Sequence, residues 1–131
     1  MAINFDKALG LHPQALMLRE KRAEVLASNL ANADTPGYKA RDMDFQAILK
    51  QQSQTNSGIL ETTHSGHLLP DQYQLSGELL YRTPQQASLD GNTVEDQIEQ
   101  AKYGENAVQY QASLRFINGR FSGLLSAIKG E

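Results

Sequence analysis

The chain has 131 residues, enough for one domain, and no cysteine, which excludes disulfides, thiol chemistry and cysteine-based metal sites. Its net charge of −3 gives no electrostatic basis for binding nucleic acid or an anionic membrane. Only 40% of residues are hydrophobic and Trp is absent, so the core is lean and is expected to be completed against partners.

Met1 to Lys7 has no basic region leading into an apolar run, so a Sec-type signal peptide is not expected. The longest apolar run, Ala15 to Leu18, is far too short to span a bilayer. A protein of the cytoplasm, or one that leaves the cell without a cleaved signal, is expected.

The first helix is predicted over about residues 4–33. Phe5, Leu9, His12, Leu16, Arg19, Ala23, Leu26, Leu30 and Ala33 alternate steps of four and three, a heptad-like seam interrupted by His12 and Arg19. Gly10 and Pro13 weaken its start: either a short helix at 4–11 precedes a main helix from Pro13, or one helix kinks there. The charged cluster Arg19, Glu20, Lys21, Arg22 and Glu24 reads as a solvated or intersubunit polar face.

Thr35-Pro36 ends the helix at about Ala33, because the residue before proline avoids the α region. Pro36-Gly37 supplies the fixed φ and the positive φ of a type II turn. Asn29, Asn32, Asp34 and Thr35 can bond nearby backbone groups at the helix exit, and Tyr38-Lys39 leaves extended.

Beyond the turn, Asp42 or Asp44 is expected to cap a short helix carrying Phe45, Ile48 and Leu49. Gln51 to Gly58 reads as a polar loop. From Ile59 to Asn92 the chain is punctuated by Gly and Pro; Leu79–Thr83 and Gln72–Leu75 are candidate strands, giving extended chain with at most a small hairpin. His64 and His67 lack further ligands at useful spacing and read as loop histidines; no metal or cofactor is expected.

Asp90-Gly-Asn92 is a positive-φ turn, Thr93 a predicted N-cap and Asp96 its capping-box partner, so the last helix should begin at about Val94 and run to Lys129. Tyr103, Ala107, Tyr110, Leu114, Ile117, Phe121, Leu124 and Ile128 form its seam, beside a second stripe of Val94, Ile98, Ala101, Val108 and Ala112. At about 1.5 Å per residue it is roughly 50 Å long and must pair with something. The predicted fold is therefore mainly α: an antiparallel coiled-coil pair of the terminal helices, with an irregular middle that could hold a short β-hairpin. Packing is assigned to Leu16, Ala23, Leu26 and Leu30 on the first helix, and to Tyr110, Leu114, Ile117, Phe121, Leu124 and Ile128 on the last. Leu18, Val25, Val108, Ala112 and Leu125 lie off these seams, which points to lateral packing between subunits.

Ala31-Asn-Ala-Asp-Thr-Pro-Gly-Tyr-Lys39, preceded by Leu26-Ala-Ser-Asn-Leu30, resembles the N-terminal signature of bacterial flagellar axial proteins, the rod and hook family. Glu105 to Leu114 with Phe116-Ile-Asn118 resembles the family's C-terminal end. Ser88 to Val94, together with the short length, is similar to the proximal rod proteins of the basal body, which lack the larger inserted domain of hook and distal rod proteins. The match is weak from about Lys50 to Ala87.

The resemblance implies a single axial-protein domain: an N-terminal helix over about 4–33, a turn and irregular middle over 34–92, and a C-terminal helix over 93–129. It implies export through the flagellar type III apparatus without cleavage, disordered ends before assembly, and polymerisation into the hollow rod that crosses the periplasm as a drive shaft around the export channel. Implied partners are further copies, other rod proteins, and the adaptor joining the rod to the membrane ring and export gate. Asn29, Asn32, Thr35, Pro36, Gly37 and Tyr38 are then geometry and packing rather than catalysis. No nucleophile elbow, phosphate loop, HExxH or cysteine supports an enzyme, and no small-molecule substrate is expected. The competing reading is a monomeric helical adaptor or export chaperone.

Overall fold

The computed structural model describes residues 8–55 and 79–130. Its elements run α1 (His12–Ala31), β1 (Arg41–Met43), α2 (Phe45–Thr55), β2 (Leu79–Tyr81) and α3 (Asp96–Lys129). Ala8 and Leu9 are also helical, and Gly10 at φ +61° separates them from α1. The break thus speaks against one continuous kinked helix and for a separate helical segment before Pro13; residues 4–7 of the expected short helix lie outside the described residues. Pro13 sits in the first turn of α1, where its missing N–H leaves no bond unmade. The helix ends two residues before the expected Ala33.

Helices α1 and α3 pack antiparallel, as expected of the terminal helices. The rings of His12 and Phe116 lie 6.1 Å apart at one end, Asn106 Nδ2 donates to the Arg19 carbonyl in the middle (2.9 Å), and Asn29 Nδ2 donates to Glu99 Oε2 at the other end (3.1 Å). The 34 residues of α3 span about 51 Å. Its last turns, from Phe116 to Lys129, run roughly 20 Å past the His12 contact.

Strands β1 and β2 pair antiparallel, with Arg41 opposite Tyr81, Asp42 opposite Leu80 and Met43 opposite Leu79. The Arg82 N–H extends the ladder by donating to the Ala40 carbonyl (2.9 Å). The strand over Leu79 to Tyr81 therefore forms as predicted, but its partner is the exit of the Pro-Gly turn rather than Gln72–Leu75, which lies outside the described residues, as do His64 and His67. Asp44 caps α2, accepting from the Ala47 N–H (3.0 Å), and Phe45, Ile48 and Leu49 are half-buried. The expected loop from Gln51 is helical as far as Thr55; glutamine is a good helix former, and no Gly or Pro intervenes before Gly58.

The described interior mixes apolar and polar side chains. Leu18, Leu26, Ala40 and Met43 are buried, and so are Asn29, Asn92, Glu99, Asn106 and Ser113. Every buried residue of α3 is polar.

Candidate subunit interface

Two polar junctions fix the scaffold, and an apolar surface is left outside it. The first junction joins α1, both strands and α3. Arg22 grips Asp42 with two bonds, Nε to Oδ1 at 2.9 Å and Nη2 to Oδ2 at 3.1 Å. Arg82, just past β2, reaches Asp42 Oδ2 at 2.7 Å with one arm and the fully buried Glu99 with the other. Lys102 stands 3.7 Å from Asp42. Asn29 closes the network: besides Glu99, it donates to the Arg41 carbonyl (2.7 Å) and accepts from the Arg41 N–H (3.1 Å). Burial works to raise the Asp42 pKa, yet the bonds from Arg22, the Met43 N–H and Arg82 overcome it and hold the group at about 2.

The second junction brings the two signature segments together. Asn92, 5% exposed, shares its amide protons among the carbonyls of Asn32 (3.1 Å), Ala33 (2.5 Å) and Thr35 (3.1 Å), in the turn that follows α1. The Gly37 N–H donates to the Asp90 carbonyl (2.9 Å), the Thr93 N–H to the Tyr38 carbonyl (3.0 Å), and Lys39 Nζ to the Gly91 carbonyl (2.7 Å). Both turns take the positive φ expected, +72° at Gly37 and +73° at Gly91. The Tyr38 N–H bonds the Thr35 carbonyl (3.3 Å) and closes the Thr35–Tyr38 turn.

Thr93 is not the N-cap. Its Oγ1 accepts from the Ala40 N–H (2.7 Å), α3 starts at Asp96, and Glu95 precedes it without a side-chain cap bond. A contact distant in sequence has claimed the hydroxyl that a capping box would use.

The line of contact between the helices also differs from the expected seam. On α3 it runs through Glu99, Asn106 and Ser113. At 3.6 residues per turn, Tyr103, Tyr110, Leu114 and Ala107 lie about 40–100° round the helix from Asn106. On α1, Leu18, Leu26 and Asn29 face inward, while Leu16, Ala23 and Leu30 are half-buried. Only Leu26 belongs to both the predicted and the observed line. Glu99 sets the rotation: a buried carboxylate must keep its cationic partner, whereas an exposed leucine forfeits a smaller free energy. The charged cluster on α1 is likewise divided. Arg22 enters the ionic junction and Arg19 stacks 4.1 Å over the Phe45 ring and bonds Gln109, while Glu20, Lys21 and Glu24 stay exposed.

The predicted packing residues other than Leu26 thus flank the intramolecular contact. Ala23 joins Tyr103, Ala107, Tyr110 and Leu114 in an open, apolar groove of about 430 Å³. Further along α3, Phe121 and Ile128 are exposed, and Ile117 and Leu124 half-exposed. Leu125 extends that apolar side, and Val108 and Phe116 add exposed apolar surface on other faces of the same helix. Six residues that do much of the positioning were not singled out as such by the pattern: Asp42, Arg82, Asn92, Glu99, Asn106 and Ser113. The one signal available was the spacing of the last four, seven residues apart throughout.

The chain is similar in sequence to known proteins. A sequence model of the family described as flagella basal body rod protein matches residues 12–39, which are α1 and its exit turn. The protein named flagellar basal body rod protein FlgB of Cereibacter sphaeroides is 52% identical over 127 residues, covering 97% of this chain and 98% of its own. Its namesake in Aeromonas hydrophila is 50% identical over 133 aligned positions, covering 100% and 99%. The chain belongs to the FlgB family of flagellar basal body rod proteins. More distant members keep the full length: the FlgB of Salmonella typhimurium is 40% identical over 136 positions, with 99% of each chain covered. Family membership makes this a structural protein of the flagellar rod and not an enzyme.

Proposed function

We propose that the chain is a single axial-protein domain that polymerises, through its two terminal helices, into the hollow proximal rod, where it transmits torque and encloses the export channel. The observation that carries this reading is the apolar surface of α3: Tyr103, Leu114, Phe121 and Ile128 are exposed on a helix too long and too apolar to serve a lone subunit. Predicted packing residues Leu16, Ala23 and Leu30 on α1, and Tyr110, Leu114, Ile117, Phe121, Leu124 and Ile128 on α3, meet neighbouring copies and other rod proteins in this reading, while Leu26, fully buried, packs within the subunit. The rod-to-membrane-ring adaptor and the export gate lie at the base of the same assembly. The subunit reaches the periplasm through the flagellar export apparatus without a cleaved signal. No helix among the described residues is long and apolar enough to cross a membrane, which accords with a subunit that stands within the envelope by assembly.

A monomeric helical adaptor is the competing reading, and dilute protein separates the two. Circular dichroism and limited proteolysis of purified monomer should show helix ends, above all the turns of α3 past Phe116 that extend beyond the α1 contact, that are cleaved readily and become protected in isolated basal bodies. Terminal helices fully protected in dilute monomer would favour the adaptor.

A further inference from the structure

The contact between α1 and α3 is polar where a coiled coil is ordinarily apolar. Asn92, Glu99, Asn106 and Ser113 are the buried residues among those described from Asn92 onward, and they stand at a constant seven-residue interval. Each has its own bonding address. Asn92 takes the carbonyls at the end of α1, Glu99 takes Asn29 and Arg82, and Asn106 takes the Arg19 carbonyl. Ser113 satisfies its hydroxyl within α3, on the Gln109 carbonyl (2.9 Å), and Gln109 in turn accepts from Arg19.

We infer that these residues form a register ladder, which holds the two helices in one alignment and rotation and keeps the apolar stripe of α3 facing outward. The apolar pattern cannot do this. Shifting α3 by one heptad puts Tyr110, Leu114, Ile117 and Phe121 where Tyr103, Ala107, Tyr110 and Leu114 stood, an equally apolar set. Rotating α3 to bury that stripe against α1 would also gain apolar contact. Both alternatives strip Glu99 of Arg82 and Asn29, leave the Arg19 carbonyl without Asn106, and draw Asn92 from the end of α1. One buried polar residue in a coiled-coil seam suffices to select an alignment at a cost in stability. Here the rungs through Asn92 and Glu99 decide: the carbonyls past the end of α1, Asn29 and Arg82 have no counterpart a heptad away, whereas Asn106 takes a main-chain carbonyl of a kind that α1 offers in other registers too. The ladder is a property of the folded chain and does not depend on which neighbours the apolar stripe meets.

The full chain lacks cysteine, so spin labels at Met17→Cys and Arg115→Cys, both exposed positions, report the alignment by double electron–electron resonance. Trimethylamine N-oxide favours the compact state during the measurement. The labelled parent should give a single narrow distance population. The triple variant Asn29→Leu/Glu99→Leu/Asn106→Leu removes two rungs and leaves Arg82 bonded to Asp42. It should keep the parent's helical circular dichroism while its distance distribution at least doubles in width or splits; one heptad of slip moves a label by about 10 Å. A helical triple variant with the parental distribution overturns the ladder, as does a parent that is already broad. If the triple variant loses its helix signal, Glu99→Leu alone decides: a width greater than the parent's supports the ladder, and an unchanged width rejects it.

Discussion

Arg82 is the cation whose removal should be felt most. It bridges Asp42 and the fully buried Glu99, and the two acids differ in what else they hold. Asp42 retains Arg22 and Lys102 after Arg82→Met, whereas Glu99 is left with the amide of Asn29 as its one remaining bonding partner. Stripping one partner from a buried ion pair costs about 3–5 kcal/mol. With a urea dependence of about 1.5 kcal/mol per molar for a chain of this size, the unfolding midpoint should fall by roughly 2–3 M. Removing the orphaned acid as well should restore most of the loss. Arg82→Met/Glu99→Leu replaces the pair by apolar groups, and Asn29 keeps its two bonds to the Arg41 backbone. Urea titrations of the parent, both single variants and the double variant close the cycle, and the double variant should lie within about 1 kcal/mol of the parent. A cost below about 1 kcal/mol for Arg82→Met, or a double variant no better than the singles, would refute the ionic junction as the tie between strands and helices.

Four further outcomes are expected. Asn92→Ala leaves the Ala33 carbonyl and the Val94 N–H without their side-chain partner and should cost about 2–4 kcal/mol in the same titration. Gly37→Val forces a β-branched residue to φ +72°; nothing lies within 4 Å of the new Cβ, so the cost is strain alone, about 1–3 kcal/mol, and basal-body assembly should suffer. Asp42 has its pKa lowered from 3.8 to about 2, so its ion pairs contribute full stability above about pH 4 and lose it as pH falls towards 2; urea midpoints at pH 5 and pH 3 should differ more in the parent than in Asp42→Asn. Leu114→Asp and Phe121→Asp alter exposed positions, so monomer stability should be nearly unchanged while rod assembly and motility are lost with export retained, and normal swarming by either mutant would remove the stripe from the interface.

Local chemistry was readable from the sequence, and rotation was not. Pro36-Gly37 and Asp90-Gly91 demanded positive φ and have it; Asp44 capped the helix it preceded; Leu79 to Tyr81 formed a strand; and the terminal helices paired antiparallel. Each of these follows from residues within a few positions of one another, or from apolar periodicity long enough to require a partner. Thr93 failed as a cap because Ala40, 53 residues earlier, takes its hydroxyl. The ionic junction joins positions 22, 42, 82 and 99, and no spacing rule links four charges so far apart in the chain. Apolar periodicity fixed which faces of α3 avoid water, but it could not say whether the folded chain or a neighbour covers them.

The separation of polar contact inside from apolar surface outside has a consequence for how substitutions should sort. In an ordinary coiled coil the same leucines hold the monomer and would be lost together with it. Here the folded chain is fixed by Arg22, Asp42, Arg82, Glu99 and the Asn92 turn, with Leu18 and Leu26 as the buried apolar residues of α1. Val108, Phe116, Leu125 and Ile128 add little to it because they are exposed. Changes at the junctions should therefore lower stability in dilute monomer, whereas changes on the stripe should leave the monomer intact and, if copies meet there as proposed, act on assembly. On the rod reading, this division resolves a conflict facing any exported subunit. It needs a fold weak enough to be undone for passage, and an interface strong enough to stand under torque, and the two requirements fall on different residues. A polar interior is suited to the first, because its bonds can be exchanged for bonds to water with little net change. An apolar exterior is suited to the second, because its stabilisation appears only when neighbours remove it from water.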